Sequence, residues 1–179
     1  MANEYSPELV ERAKKIKLLI LDVDGVLTDA RIIYGNYGDE IKNFDVNDGL
    51  GILLWKRAKL KCVILTAKGS RIVAKRAREL KIDKVYKDFH YKIEALIKIR
   101  RKFGVKDEEI CFVGDDLIDI PVLKRVGLAV APSNAMVDVK EYVHLITGKQ
   151  GGRGAVREVI DFILKAQGKW EKVTARYYE

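Results

Sequence analysis

The sequence predicts an α/β fold, a doubly wound parallel sheet, on three observations. Short apolar runs, beginning with Leu18–Leu21, read as strands buried on both faces rather than as half-exposed alternating strands. Segments of helical period separate these runs, and strict strand–helix alternation implies parallel strands with helices on both sides. The first and fourth runs both end in carboxylates, Asp22-Val-Asp24-Gly25 and Gly114-Asp115-Asp116. The carboxyl ends of strands are where open parallel sheets bind their ligands.

Length and composition narrow the class. A chain of 179 residues is long enough for one domain with a sizeable core. No segment approaches the roughly 18 uninterrupted apolar residues of a membrane span. The first residues lack a basic region followed by an apolar one, so no secretory signal is expected and a cytoplasmic location is. Cys62 and Cys111 lie inside apolar strand-like runs and read as buried thiols, not as a disulfide or metal pair. Net charge is +8, but the basic residues alternate with Asp and Glu along predicted helices, as in Arg71–Lys81. That pattern describes solvated helix faces. A basic–aromatic platform for nucleic acid is missing, so neither nucleic acid nor membrane is expected as a partner.

The elements follow in chain order. Ser6-Pro7-Glu8 starts a helix, with Ser as cap, Pro at the first helical position and Glu at the positive end of the dipole. Strand Leu18–Leu21 runs into Asp22 and Asp24, which alternation puts on one side, and Gly25 permits a sharp exit. Residues 30–46 read as a β-hairpin, Arg31–Tyr34 and Asp39–Phe44 around a Gly/Asn turn, projecting close to the carboxylates. A helix over about 48–60 is capped by Asn47 or Asp48. Lys61–Thr66 is a second strand ending in a hydroxyl, and Ser70 caps a helix over 71–80. Thr66, beside a Gly turn and a helix start, suits an anion. A short strand at 83–86 precedes a helix over about 91–103, stopped by Gly104, with Lys92 unfavourably placed in its first turn.

The fourth strand runs from Ile110 towards Asp116, and Asp119, Ile120 and Pro121 open a helix to about Val126. Leu128–Ala131 is a fifth strand, Ala135–Glu141 a short helix and Val143–Ile146 a sixth strand. Thr147–Gly154 is a glycine-rich loop before an amphipathic helix over 155–166. The tail, 168–179, is polar and aromatic and is either loose or docked on a partner. His144, in an apolar run, reads as structural. His90 reads as a surface residue or as a neighbour of the site. Tyr34 and Tyr37 read as packing or interface residues.

If the first and fourth strands are neighbours, Asp22, Asp24, Asp115 and Asp116 converge at one edge. So many carboxylates do not all ionise together without a cation. Hard oxygen ligands with room for water and phosphate favour Mg²⁺. Thr66 adds a hydroxyl and Lys92 a fixed positive charge. This set suits phosphoryl transfer, and an Asp nucleophile would divide the hydrolysis into two steps.

Asp22-Val-Asp24-Gly25, Thr66, Lys92 and Gly114-Asp-Asp-Leu-Ile-Asp119 resemble, in order, the four motifs of the haloacid dehalogenase superfamily of phosphatases. More narrowly, Asp-Val-Asp-Gly-Val-Leu-Thr-Asp, the hairpin, Asn-Asp-Gly-Leu-Gly and Gly-Gly-Arg-Gly-Ala-Val-Arg-Glu are similar to the 3-deoxy-D-manno-octulosonate 8-phosphate phosphatase subfamily. The resemblance implies a Rossmann-like fold, with Asp22 as nucleophile and Asp24 as general acid/base that also ligates the metal through its carbonyl. It implies Asp115 as a metal ligand supported by Asp116 and Asp119, with Thr66 and Lys92 on the phosphoryl group. Three positions depart from the family pattern: Asn47, where Arg is frequent; Ala67-Lys68, where Gly-Arg is frequent; and Phe89-His90-Tyr91, where a Gly commonly occurs.

Spacing carries one more expectation. The intervals Asp24–Thr66 and Lys92–Asp115 leave no room for a cap domain, so residues 1–179 are expected to form a single capless domain with a hairpin flap. Another subunit would then close the site, with the hairpin as an assembly surface. The resemblance likewise implies a homotetramer in which the glycine-rich segment reaches a neighbouring active site. Arg153 and Arg157 would there hold the carboxylate or phosphate of substrate. Without that resemblance, Gly151–Gly154 reads as a mobile loop.

Overall fold

A computed structural model describes residues 5–179. The chain runs α1 (Pro7–Lys15), β1 (Leu18–Leu21), β2 (Ile33–Tyr34), β3 (Glu40–Ile41), α2 (Val46–Arg57), β4 (Lys61–Leu65), α3 (Arg71–Glu79), β5 (Lys84–Tyr86) and α4 (Lys92–Phe103). It continues through β6 (Ile110–Val113), α5 (Ile120–Leu123), β7 (Leu128–Ala131), α6 (Val137–Lys140), β8 (Leu145–Ile146), α7 (Ala155–Ala166) and α8 (Trp170–Thr174). Six strands form one parallel sheet in the order β5-β4-β1-β6-β7-β8.

Every residue of β1, β6 and β7 is buried, as their unbroken apolar runs require. Alternate residues face opposite layers. Leu19, Leu21, Cys62, Ile64, Cys111 and Val113 pack with α1, α2, α3 and α7, burying Trp55, Val159 and Ile163. Leu18, Ile20, Val63, Leu65, Ile110 and Phe112 pack with α4, α5 and α6, burying Leu96, Ile99 and Val122. Both cysteines are free thiols in this core, and burial raises their pKa.

From β1 the chain winds outward through β4 to β5, then crosses back to β6 on the other side of β1. Leu21 lies level with both Ile64 and Val113. The strand order therefore reverses between β1 and β6, and the crevice at such a reversal is where these sheets bind ligands.

Several local expectations need correction. Helix α2 starts earlier than expected, and its cap is Asp45, not Asn47 or Asp48: the Asp45 carboxylate accepts from the N–H groups of Asn47 and Asp48. The fourth strand stops at Val113, because the next residues turn into a short 3₁₀ segment, Leu117–Asp119. The hairpin pairs only Ile33–Tyr34 with Glu40–Ile41. Its second arm then leaves the pairing, and Phe44 bridges Thr28 beyond the end of β1. The tail is not loose: it packs on its own chain. Trp170 packs against the core, Val173 and Thr174 are buried, and the Arg57 guanidinium lies 5.1 Å from the Tyr177 ring centre. His144 is structural as expected, its Nδ1 accepting from the Ala129 N–H at 2.9 Å.

Candidate active site

The site is built on the β1–β6 crevice. Asp22 directly follows β1, and its N–H still donates to the Val113 carbonyl at 3.1 Å, so its carboxylate is placed by the sheet itself. The chain then folds into a tight turn in which the Val26, Leu27 and Thr28 N–H groups all point to the Val23 carbonyl. Thr28, fully buried, clasps this turn: its hydroxyl lies 3.3 Å from the Val23 carbonyl and accepts weakly from Gly25 and Ala30. Gly25 has φ +84°, and a Cβ there would lie 1.9 Å from Asp115 Oδ2. Glycine is needed at this position for both reasons.

Asp22, Asp115 and Asp119 converge, each with a carboxylate oxygen within 4.8 Å of the others. Lys92, at the start of α4, enters this group fully buried and bridges Asp22 at 2.7 Å and Asp119 at 2.6 Å. The other Asp119 oxygen accepts from the N–H groups of Asp115 (2.9 Å) and Asp116 (3.2 Å), so Asp119 shapes the loop that presents Asp115. Burial pushes Asp22 up to about 7 against the pull of Lys92, with the Asp119 charge adding to the rise. Asp115 is pushed up to about 8, first by burial and then by the charges of Asp22 and Asp119. Burial alone would lower Lys92, but the two carboxylates more than offset it, and its pKa is raised.

The group fits a cation. Among the described residues, three carboxylates gather at one ammonium, and the buried Oδ1 of Asp115 has no hydrogen-bond donor. A buried acceptor without a donor is costly unless a cation or water meets it. Hard oxygens in this number suit a small divalent ion held by Asp22 and Asp115 with Asp119 behind them.

The predicted residues do not all sit together. Asp24 lies outside the three-carboxylate cluster and pairs with Lys42 of the hairpin arm at 2.5 Å. Asp116 turns outward, exposed, and accepts from the Leu117 N–H at 2.7 Å. Its expected place is taken by Asp119. Thr66 is buried at the end of β4, its hydroxyl engaged with the backbone of Lys68.

Arg153 and Arg157 are not brought to the carboxylates within this chain. They line a separate cavity of about 610 Å³ with Asn47, Lys149, Glu158 and Asp161. Arg157 pairs with Asp161 at 2.7 Å, and Arg153 is exposed. The glycine-rich loop before them is held in place. Gly152 donates to the Val26 carbonyl, Gly151 donates to Asn134, and a Cβ on Gly151 would lie 1.7 Å from the Gly25 carbonyl oxygen. The loop is thus packed against the Asp22–Asp24 turn of its own chain.

Sequence reasoning missed three residues. Lys42 was one hairpin residue among many, although Glu40 and Lys42 share a strand face. The sequence pattern makes Asp48 a candidate cap for its own helix. It instead reaches across to α7, accepting from the N–H groups of Gly154 (3.3 Å) and Arg157 (2.8 Å). The glycine at the α7 cap position signals that an outside acceptor is needed, but not which one. Asn134, which holds Gly151, carried no signal.

Comparison with known proteins agrees with this geometry. The sequence pattern of haloacid dehalogenase-like hydrolases matches residues 58–160. The 3-deoxy-D-manno-octulosonate 8-phosphate phosphatase KdsC of Salmonella typhimurium is 41% identical over 167 residues, covering 93% of this chain and 89% of the relative. The crystal structure of 3-deoxy-D-manno-octulosonate 8-phosphate phosphatase from Yersinia pestis superposes with a TM-score of 0.92 at 40% identity, covering 93% of this chain and 90% of that one. The Moraxella catarrhalis phosphatase, solved with magnesium, phosphate and KDO, superposes with a TM-score of 0.94 at 36% identity, covering 97% and 99%. With a match over more than half its length, and relatives similar almost from end to end, the chain belongs to the haloacid dehalogenase-like hydrolase family.

Proposed function

We propose that this protein is a Mg²⁺-dependent phosphomonoesterase that hydrolyses 3-deoxy-D-manno-octulosonate 8-phosphate to KDO and phosphate. The observation that carries the proposal is the buried Asp22–Lys92–Asp119 bridge, with Asp115 beside it, in the β1–β6 crevice. The names and bound ligands of the similar phosphatases support the substrate.

In this reading Asp22 is the nucleophile. Its Oδ attacks phosphorus in line, the bond from phosphorus to the sugar oxygen breaks, and Asp24 hands its proton to that oxygen. The Asp24 carboxylate then takes a proton from water as the water attacks the aspartyl phosphate, releasing inorganic phosphate and restoring Asp22. Lys92 holds Asp22 in place and, with Thr66, meets the phosphoryl oxygens. Asp22, the Asp24 carbonyl and Asp115 would hold Mg²⁺, which would supply charge neutralisation beside an anionic substrate. Asp119 orients Lys92 and the Asp115 loop, and Asp116 caps that loop.

We also infer that residues 1–179 act as one capless unit in the cytoplasm and assemble as a homotetramer. Only the hairpin and α2 lie between β1 and β4, and the hairpin exposes Ile32, Ile33, Tyr34, Tyr37 and Ile41. An apolar patch of this kind suits burial against another copy. A neighbouring subunit then closes the site, and Arg153 and Arg157 contribute across that boundary.

Phosphate release from the 8-phosphate, beside a panel including a nine-carbon sugar acid phosphate, tests the function. We expect rapid release with Mg²⁺, none in EDTA, and a loss of at least roughly 10³-fold in Asp22→Asn. Preference for the nine-carbon acid would keep the chemistry and assign specificity to Asn47 and Lys68. A folded, Mg²⁺-loaded protein that hydrolyses no phosphate ester would refute the enzyme reading.

A further inference from the structure

The hairpin arm does more than project near the site. Residues 40 and 42 share one face of the arm, and Ile41 between them faces outward. The Lys42 side chain is buried, and its ammonium lies 2.5 Å from Asp24 Oδ1 and 3.3 Å from Glu40 Oε1. Glu40 in turn faces Lys68, two residues beyond Thr66, at 3.5 Å. The arm is fastened again just beyond this pair. Asn43 donates to Asp29 at 3.2 Å, and Phe44 bridges Thr28 at the end of the Asp22–Asp24 turn.

A buried ammonium is tolerated only when it is paired, and two carboxylates pair this one. Its position is therefore held by burial and two carboxylates, and Asp24, with a side chain 31% exposed, is the less constrained partner. We infer that Lys42 is a positioning residue for Asp24, holding Oδ1 so that Oδ2 faces the departing oxygen. The ammonium donates to a carboxylate oxygen and, more weakly, to the carbonyl oxygen of the neutral acid. The contact therefore survives both halves of the reaction, with the proton carried on Oδ2. The inference rests on the proposed role of Asp24 and adds what aims it: a lysine delivered by the flap.

The test separates aiming from folding by leaving group. A sugar alkoxide needs the Asp24 proton as it departs, whereas p-nitrophenolate leaves without one. Single-turnover rapid quench, which reads phosphoryl transfer apart from the aspartyl-phosphate hydrolysis that both substrates share, would compare the wild-type protein with Lys42→Met on the sugar acid 8-phosphate and on p-nitrophenyl phosphate. For the sugar phosphate we expect the maximal first-turnover rate to fall roughly tenfold or more with half-saturation within about threefold, and for the aryl ester a fall below about threefold. Equal losses on both substrates would overturn the inference, as would weaker half-saturation with the maximal rate unchanged. If Lys42→Met does not fold by thermal melting, Glu40→Gln decides: it leaves Lys42 and Asp24 intact, and a smaller loss with the same leaving-group bias is expected, while an unbiased loss overturns the inference. Wild-type turnover reports on the phosphatase reading separately, so the two ideas fail independently.

Discussion

At the scale of single residues, the site depends on how close its parts come. Asp22 and Asp24 were legible in the sequence because an apolar run ending in Asp-x-Asp-Gly places carboxylates at a strand end. Asp119 looked secondary there, since sequence distance says nothing of a side chain returning to cover the loop before it. Gly25 shows how little tolerance remains. In Gly25→Ala the new methyl meets Asp115 Oδ2, and the positive φ alone costs about 1–2 kcal/mol. We expect this variant to fold with a lowered Tm, lose most phosphatase activity, and lose the Tm increase that Mg²⁺ gives the wild-type protein. An unchanged Mg²⁺ response would show that Asp115 is not the ligand assigned here.

At the scale of elements, helices α2 and α7 are locked through Asp48. Its carboxylate serves as the cap that α7 lacks, and burial pushes it up to about 6. Asp48→Ala removes an acceptor for two N–H groups, at about 1–2 kcal/mol and roughly 2–8 °C in Tm. Because the glycine-rich loop leads straight into α7, the same change should loosen that loop where it packs on Gly25, measurable as faster amide exchange at Gly151 and Gly152. The hairpin follows another logic. Its turn signal was plain, yet its pairing is two residues per strand, because the second arm bonds the Asp22–Asp24 turn instead. Local pattern predicts a hairpin; what the arm touches next is tertiary.

At the scale of the whole molecule, charge and assembly decide behaviour. Asp22 and Asp115 titrate near 7 and 8 in the folded state, well above their value of 3.8 in the open chain. At these two groups the folded protein thus holds more protons than the unfolded chain between about pH 4 and 8, and their contribution to metal-free stability should fall as pH rises through that window. In the proposed site Mg²⁺ would bind the deprotonated pair, so its stabilisation should grow over the same range. Thermal melts at pH 5 and pH 8, with Mg²⁺ and with EDTA, check this: a Mg²⁺-induced shift of equal size at both values contradicts it. Sedimentation should give a tetramer, and Tyr34→Glu with Ile33→Glu should dissociate it and reduce activity. A monomeric wild-type protein with full activity would remove the need for a neighbouring subunit. The sequence alone determined a parallel α/β fold, the succession of strands and helices along the chain, and the strand ends that carry Asp22, Thr66 and Asp115, because burial of apolar runs and the period of amphipathic helices are local properties. Tertiary structure alone decided that Lys92 enters between Asp22 and Asp119, that Lys42 meets Asp24, and that Asp48 caps a helix 106 residues away in sequence. Those pairings depend on long side chains meeting across elements whose relative placement no local pattern encodes.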